Sequence, residues 1–171
     1  GEEYILEFFE EIAQNTTVPI LIHEMPMRNG YGGAAVQYSL DLLEKLFNID
    51  GIVGLKEESL NKGYSRQILQ KFGKKQIIIG AGGGMSRYLE DYQYGSKAFL
   101  GGIGNFYPEL ELAFYQAMQT KDFETANNIV YQIEIPYFNA IGSLGWHPSL
   151  KAALSLTNHM LPFDRKPFKQ C

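Results

Sequence analysis

The chain has 171 residues, 45% of them apolar and 20% charged, enough for one domain that buries roughly 70% of its unfolded surface. That composition excludes a disordered chain, and a net charge of −4 with no basic stripe argues against a nucleic-acid partner. No apolar run approaches the ~20 residues of a membrane helix, the start is not a signal peptide, and the single cysteine, Cys171, closes no internal disulfide, so a protein of the reducing cytoplasm is expected.

Along the chain, short apolar runs alternate with longer stretches of helical period, the pattern of repeated βα units. Ile5, Phe8, Phe9 and Ile12 mark a first helix, and Pro19–His23 a first strand. Leu42, Leu43, Leu46 and Phe47 mark a second helix, followed by a strand at Gly51–Lys56. Tyr64, Ile68, Leu69 and Phe72 lead to a strand at Gln76–Ala81, and Met85, Tyr88, Leu89 and Tyr92 to one at Lys97–Gly102. Runs this apolar suit parallel strands covered on both faces. After Gly102 the segments Pro108–Met118, Asp122–Ile135 and Pro148–Leu156 read as helices, with Pro108 in an opening turn. Residues 1–106 are thus expected to form an α/β sheet and residues 107–171 a C-terminal helical extension of the same domain. An open doubly wound sheet and part of a closed barrel both fit this pattern, and both bind ligands at the carboxyl ends of their strands.

Chemically capable residues gather at those ends. The first strand closes on His23-Glu24-Met25-Pro26, with Arg28 just beyond, and the second on Lys56-Glu57-Glu58-Ser59. The third runs into Gly80-Ala81-Gly82-Gly83-Gly84, and the fourth into Gly101-Gly102-Ile103-Gly104-Asn105. Alternation along a strand places Lys56 on one face with Gly54 and Ile52, and His23 with Leu21; Gly54 is expected to leave space beneath Lys56. A lysine at the end of a buried strand either reaches solvent or pairs with Glu57 or Glu58, or it loses its proton and attacks carbonyls. Arg28 is either a surface cation or a fork for a substrate carboxylate. The glycines at 80–84 lack dinucleotide spacing and read as a turn where backbone approaches closely. His147 and His159 read as structural, and no residue set has metal-ligand spacing.

Taken together, the run Pro19-Ile-Leu-Ile-His-Glu-Met-Pro-Met-Arg-Asn-Gly30 and the run Gly51-Ile-Val-Gly-Leu-Lys-Glu-Glu-Ser59 resemble the dihydrodipicolinate synthase and N-acetylneuraminate lyase family. That family carries Tyr-Asn-x-Pro at the end of one strand, an arginine in the following turn, and Gly-[Ile/Val]-Lys-[Glu/Asp] on the next strand. Ala98–Asn105 resembles its last strand and the loop after it, and His147-Pro-Ser-Leu-Lys-Ala-Ala-Leu154 the start of its C-terminal helix. The resemblance implies the second half, strands five to eight, of a TIM (β/α)8 barrel, and a chain that is a piece of one of roughly 300 residues, as Gly1 in place of Met also suggests.

The resemblance further implies a class I lyase or aldolase, or a related dehydratase, acting on pyruvate or another 2-keto acid. In it Lys56 forms the imine, with no cofactor and no metal, and Arg28, Gly101 and Gly102 bind the substrate. A homo-oligomer is implied for the full-length protein, and inactivity for the isolated piece. His23 stands where the family has its proton-relaying tyrosine, and Gly82-Gly83-Gly84 replaces an Asp-rich turn. Imidazole also carries protons near neutral pH, so His23 is expected either to work as that relay or to mark a relative that binds 2-keto acids without turnover.

Overall fold

The structure, a computed structural model, describes residues 1–25, 37–141, 143–163 and 165–166. It divides into two compact units, Gly1–Gly83 with Glu90–Leu100, and Gly84–Leu89 with Gly101–Cys171.

The first unit is built on four parallel strands in sequence order: β1 (Ile20–Glu24), β2 (Ile52–Glu57), β3 (Ile77–Gly80) and β4 (Ala98–Phe99). Helices α1 (Glu2–Gln14), α2 (Leu40–Phe47) and α3 (Lys62–Phe72) punctuate it. Each of the latter two starts where a side chain can satisfy the free backbone N–H groups of its first turn. Ser39 accepts from Leu42 N at 3.0 Å, and Asn61 accepts from Gly63 N and Tyr64 N at 3.1 and 3.2 Å. Both helices turn their apolar stripes onto one face of the sheet, where Ile22, Leu43, Leu46, Leu55, Ile68 and Ile78 form the centre of the core. The opposite face carries Leu21, 44% exposed, and Ile77, 39% exposed.

Two expectations about the strands need correction. Ile52 does not share a face with Lys56: the β1–β2 register skips Val53, pairing Ile20 with Ile52 and Leu21 with Gly54. That irregularity reverses the alternation, so Ile52 joins the helix-side core. The last strand is also shorter than the run Lys97–Gly102. Leu100 still donates to Gly80 O at 3.3 Å, but Gly101 and Gly102 leave the ladder for a 3-10 turn at Ile103–Asn105. Glycine weakens a strand through its backbone entropy and offers no side chain to pack.

In the second unit, α5 (Pro108–Thr120) and α6 (Phe123–Ile129) meet at Lys121, whose φ of 61° breaks the path, and Asp122 caps α6 by accepting from Thr125 N at 3.1 Å. The helical path then runs through a π-helical turn at Val130–Glu134 into α7 (Ile135–Ile141), and α8 (Trp146–Leu156) follows. The expected helix at Asp122–Ile135 therefore continues past Pro136. A proline lacks an N–H and crowds the carbonyl four residues earlier, and the wider turn just before it relieves that crowding. The same turn sends Glu134, 2% exposed, to the start of α4 (Gly84–Asp91), where it accepts from Met85 N at 2.7 Å and Ser86 N at 2.6 Å. Gly84 has φ +54°, and a Cβ there would run into the Glu134 carboxylate.

Candidate active site

Parallel pairing sets His23 of β1 directly beside Lys56 of β2, and side chains at paired positions on adjacent strands point the same way. Both therefore stand on the sheet face away from α2 and α3. Glu58, two residues beyond Lys56, comes up on that same side because its N–H prolongs the ladder by donating to Glu24 O at 3.1 Å. One of its oxygens, Oε2, lies 2.8 Å from His23 Nε2 and 3.2 Å from Lys56 Nζ. Burial works to raise the Glu58 pKa, but the contacts from His23 and Lys56 outweigh it and hold the carboxyl below its ordinary range. The result is a partly exposed cluster of one carboxylate and two nitrogen bases at the carboxyl end of the sheet.

Gly82 makes room for it. The residue has φ +71°, a left-handed conformation that glycine adopts without strain, and a Cβ there would meet Leu60 Cδ2 at 2.7 Å and Glu58 Cγ at 3.4 Å. The glycine turn after β3 is thus a close approach, and the neighbour it admits is the 58–60 loop.

Behind the cluster, on the helix side, the next residues of each strand are carboxyls with almost no solvent contact: Glu24 and Glu57 are each 1% exposed and paired in register. Glu24 accepts from Tyr38 N at 2.6 Å and lies 2.9 Å from the Tyr64 hydroxyl, which also reaches Tyr38 O at 2.8 Å. Glu57 accepts from Ser59 N at 2.5 Å and from Ser65 Oγ at 2.6 Å. Burial lifts the Glu24 carboxyl above its usual range, and the charge of Glu57 adds to this against the hydrogen bonds from Tyr38 and Tyr64. Burial and the Glu24 carboxyl push the Tyr64 phenol up as well, so it stays protonated.

Because the folded state holds the Glu24 proton more tightly than the unfolded chain does, this group's contribution to stability is complete at acid pH. It is lost as pH climbs from the ordinary carboxylate range through the raised value. A Glu24→Gln variant, whose amide reproduces the protonated carboxyl's hydrogen bonds, should match the parent's melting temperature at acid pH and exceed it increasingly toward neutrality. Parallel melting curves at every pH would contradict the assignment.

Of the residues singled out from sequence, His23 and Lys56 are brought together. Arg28 lies outside the described residues. Gly101 and Gly102 belong to the second unit, where a Cβ on Gly101 would strike the Glu111 carboxylate and one on Gly102 would meet Trp146 Cη2 at 2.5 Å. Sequence reasoning named Glu58 only as an ion-pair partner for Lys56; the i, i+2 spacing that puts both on one strand face was the available signal. Among the described residues no group of three or more His, Cys, Asp or Glu could hold a metal ion, and no helix is long and apolar enough to cross a membrane.

Comparison with known proteins gives the cluster its context. A family model described as the dihydrodipicolinate synthetase family matches residues 2–170. The 4-hydroxy-tetrahydrodipicolinate synthase of Methanosarcina acetivorans is 26% identical over 130 residues, covering 75% of this chain and 42% of that protein. The fold is similar to that of a putative dihydrodipicolinate synthetase from Pseudomonas aeruginosa, with a TM-score of 0.83 at 20% identity over 100% of this chain and 57% of that one. It is also similar to an N-acetylneuraminate lyase from Mycoplasma synoviae, with a TM-score of 0.78 at 23% identity over 100% of this chain and 55% of that one. The chain therefore spans about half the length of the proteins it matches.

Proposed function

The chain belongs to the dihydrodipicolinate synthetase family, and from that premise we propose that it carries the imine-forming part of a class I lyase or aldolase site, acting on pyruvate or another 2-keto acid. The observation that supports this most is the register pairing of His23 with Lys56, which puts a proton carrier beside a candidate nucleophilic amine at the carboxyl end of a parallel sheet. In this reading the sheet is strands five to eight of a TIM barrel, and Arg28, Gly101 and Gly102 bind the substrate. The working protein is a cytoplasmic homo-oligomer.

The chemistry balances without an outside acid or base. Lys56 Nζ, having given up one proton, attacks the ketone carbon; the C–N bond forms and the carbonyl π pair moves to oxygen, which takes that proton. A second proton from nitrogen follows, the C–O bond breaks, water leaves, and the nitrogen lone pair closes the C=N bond. The ammonium and the iminium both carry one positive charge, so the Glu58 carboxylate stays matched to the nitrogen at both ends of the step. The iminium is then the electron sink for making or breaking the carbon–carbon bond.

Borohydride reduction of the full-length protein with pyruvate, followed by peptide mass mapping, tests this. A reduced adduct on the Lys56 peptide is expected, and a folded protein that yields none with any 2-keto acid would refute it. A His23→Tyr variant then tells how the imidazole is used: with His23 as the working proton carrier, turnover should fall about 100-fold, whereas a gain would identify a binding relative that had lost its relay.

A further inference from the structure

Building on the imine-forming reading, we propose that Glu58 is a positioning residue that selects the tautomer of His23, leaving Nδ1 as the nitrogen that exchanges protons with the substrate, while the same carboxylate oxygen holds the Lys56 amine beside it. An ionised carboxylate only accepts hydrogen bonds. With Oε2 at 2.8 Å from Nε2, Nε2 must carry the hydrogen, and in the neutral ring the lone pair then sits on Nδ1.

The arrangement is built from several sides. Strand pairing fixes His23 against Lys56, and the Glu58 N–H is tied to Glu24 O. The next residue is pinned by Ser59 N to Glu57 Oε1 at 2.5 Å. Across the loop, Gly82 leaves the space that Leu60 fills, where a Cβ would meet Leu60 Cδ2 at 2.7 Å, and Glu58 Cγ lies in ordinary contact with the same point. Leu60, with φ 59°, takes a conformation unfavourable for a residue with a branched side chain, the kind of local strain that persists where surrounding contacts fix a loop.

The chemistry explains why a partner is needed at this position. The tyrosine that the family resemblance places here relays protons through a single oxygen. An imidazole has two distinct nitrogens, and whichever is hydrogen-bonded by a carboxylate is withdrawn from the exchange, so the carboxylate decides which one faces the reaction. Proton transfer by Nδ1 moves the two protons leaving Nζ to the departing oxygen and returns His23 to the same tautomer. Glu58, whose Oε2 meets both His23 Nε2 and Lys56 Nζ, orients the two side chains without entering the bond changes.

The test is nitrogen NMR of the full-length protein labelled at histidine, with the His23 signals assigned by a His23→Asn variant. Wild type should show the Nε2–H tautomer at His23. Glu58→Ala should lose that preference and form the trapped adduct about 100-fold more slowly, with the adduct still on Lys56. Glu58→Gln, whose amide oxygen still accepts from Nε2–H, should restore the tautomer and at least about tenfold of the lost rate. An unchanged tautomer in Glu58→Ala overturns the proposal, as does a rate that Glu58→Gln does not rescue. Absence of any adduct in wild type refutes the imine chemistry instead, and the spectra still decide whether Glu58 sets the tautomer.

Discussion

A Lys56→Ala variant should give no borohydride-trapped adduct on that peptide, and turnover of the full-length protein should fall on the order of 10³-fold or more, the scale on which removing a covalent nucleophile acts. Alanine removes the amine and also the cation 3.2 Å from Glu58 Oε2, so alone it cannot separate nucleophile from ion pair. Lys56→Arg does so. The guanidinium keeps a positive charge within reach of Glu58 but is never deprotonated and cannot form the imine. Both variants should therefore be equally dead to trapping, while Arg alone retains a charged partner for the Glu58–His23 pair. The lysine side chain is about a quarter exposed and is not among the residues of the core cluster, so loss of activity should come without loss of the folded state by circular dichroism. Undiminished trapping in either variant would place the imine on another lysine.

Much of this site was legible as sequence because strand ends are marked by where apolar runs stop. His23 and Lys56 each fall on the last turns of Ile- and Leu-rich segments, and parallel βα units send all such ends to one side. What the sequence cannot carry is register. That His23 pairs with Lys56 rather than with its neighbour depends on the skipped residue at Val53, and a slip of one position would exchange faces for every side chain on the strand. The two buried carboxyls were hidden for another reason: Glu57 reads as a possible ion-pair partner for Lys56 and Glu24 as a polar residue at a strand end, and only the fold shows them on the opposite face, hydrogen-bonded to Ser65 and Tyr64 of α3. The short final strand was missed for a different reason: Phe99 and Leu100 extend the apolar run, but Gly101 and Gly102 lie where a Cβ would strike Glu111 and Trp146 of the helical unit, a crowding that no local pattern records.

Gly54→Ala should be the most damaging single methyl in the sheet. From sequence the glycine reads as empty space under Lys56, but the structure fills that space with backbone: a Cβ would lie against Ile77 O, with Ile77 C at 2.8 Å and Ile77 Cβ at 2.9 Å. A flexible side chain could swing away; a carbonyl in the β2–β3 ladder, where Gly54 pairs with Ile77, cannot move without taking its strand along. Overpacking a core typically costs 1–3 kcal/mol and sometimes more; with both partners in the ladder, a loss of about 3 kcal/mol is expected here, read as a fall in the denaturation midpoint. The change also acts on function, since Gly54 lies two residues before Lys56 on the same strand, and parting β2 from β3, where Lys56 pairs with Ile79, shifts the lysine relative to Glu58, whose N–H is tied to Glu24 O of β1. Trapping by the folded fraction should then slow even at low temperature, where the variant remains native. If stability fell while trapping by the folded fraction held its rate, the strand would be yielding below Lys56 and the lysine's placement would depend on the 58–60 loop rather than on β3. A variant as stable as the parent would contradict the close approach itself.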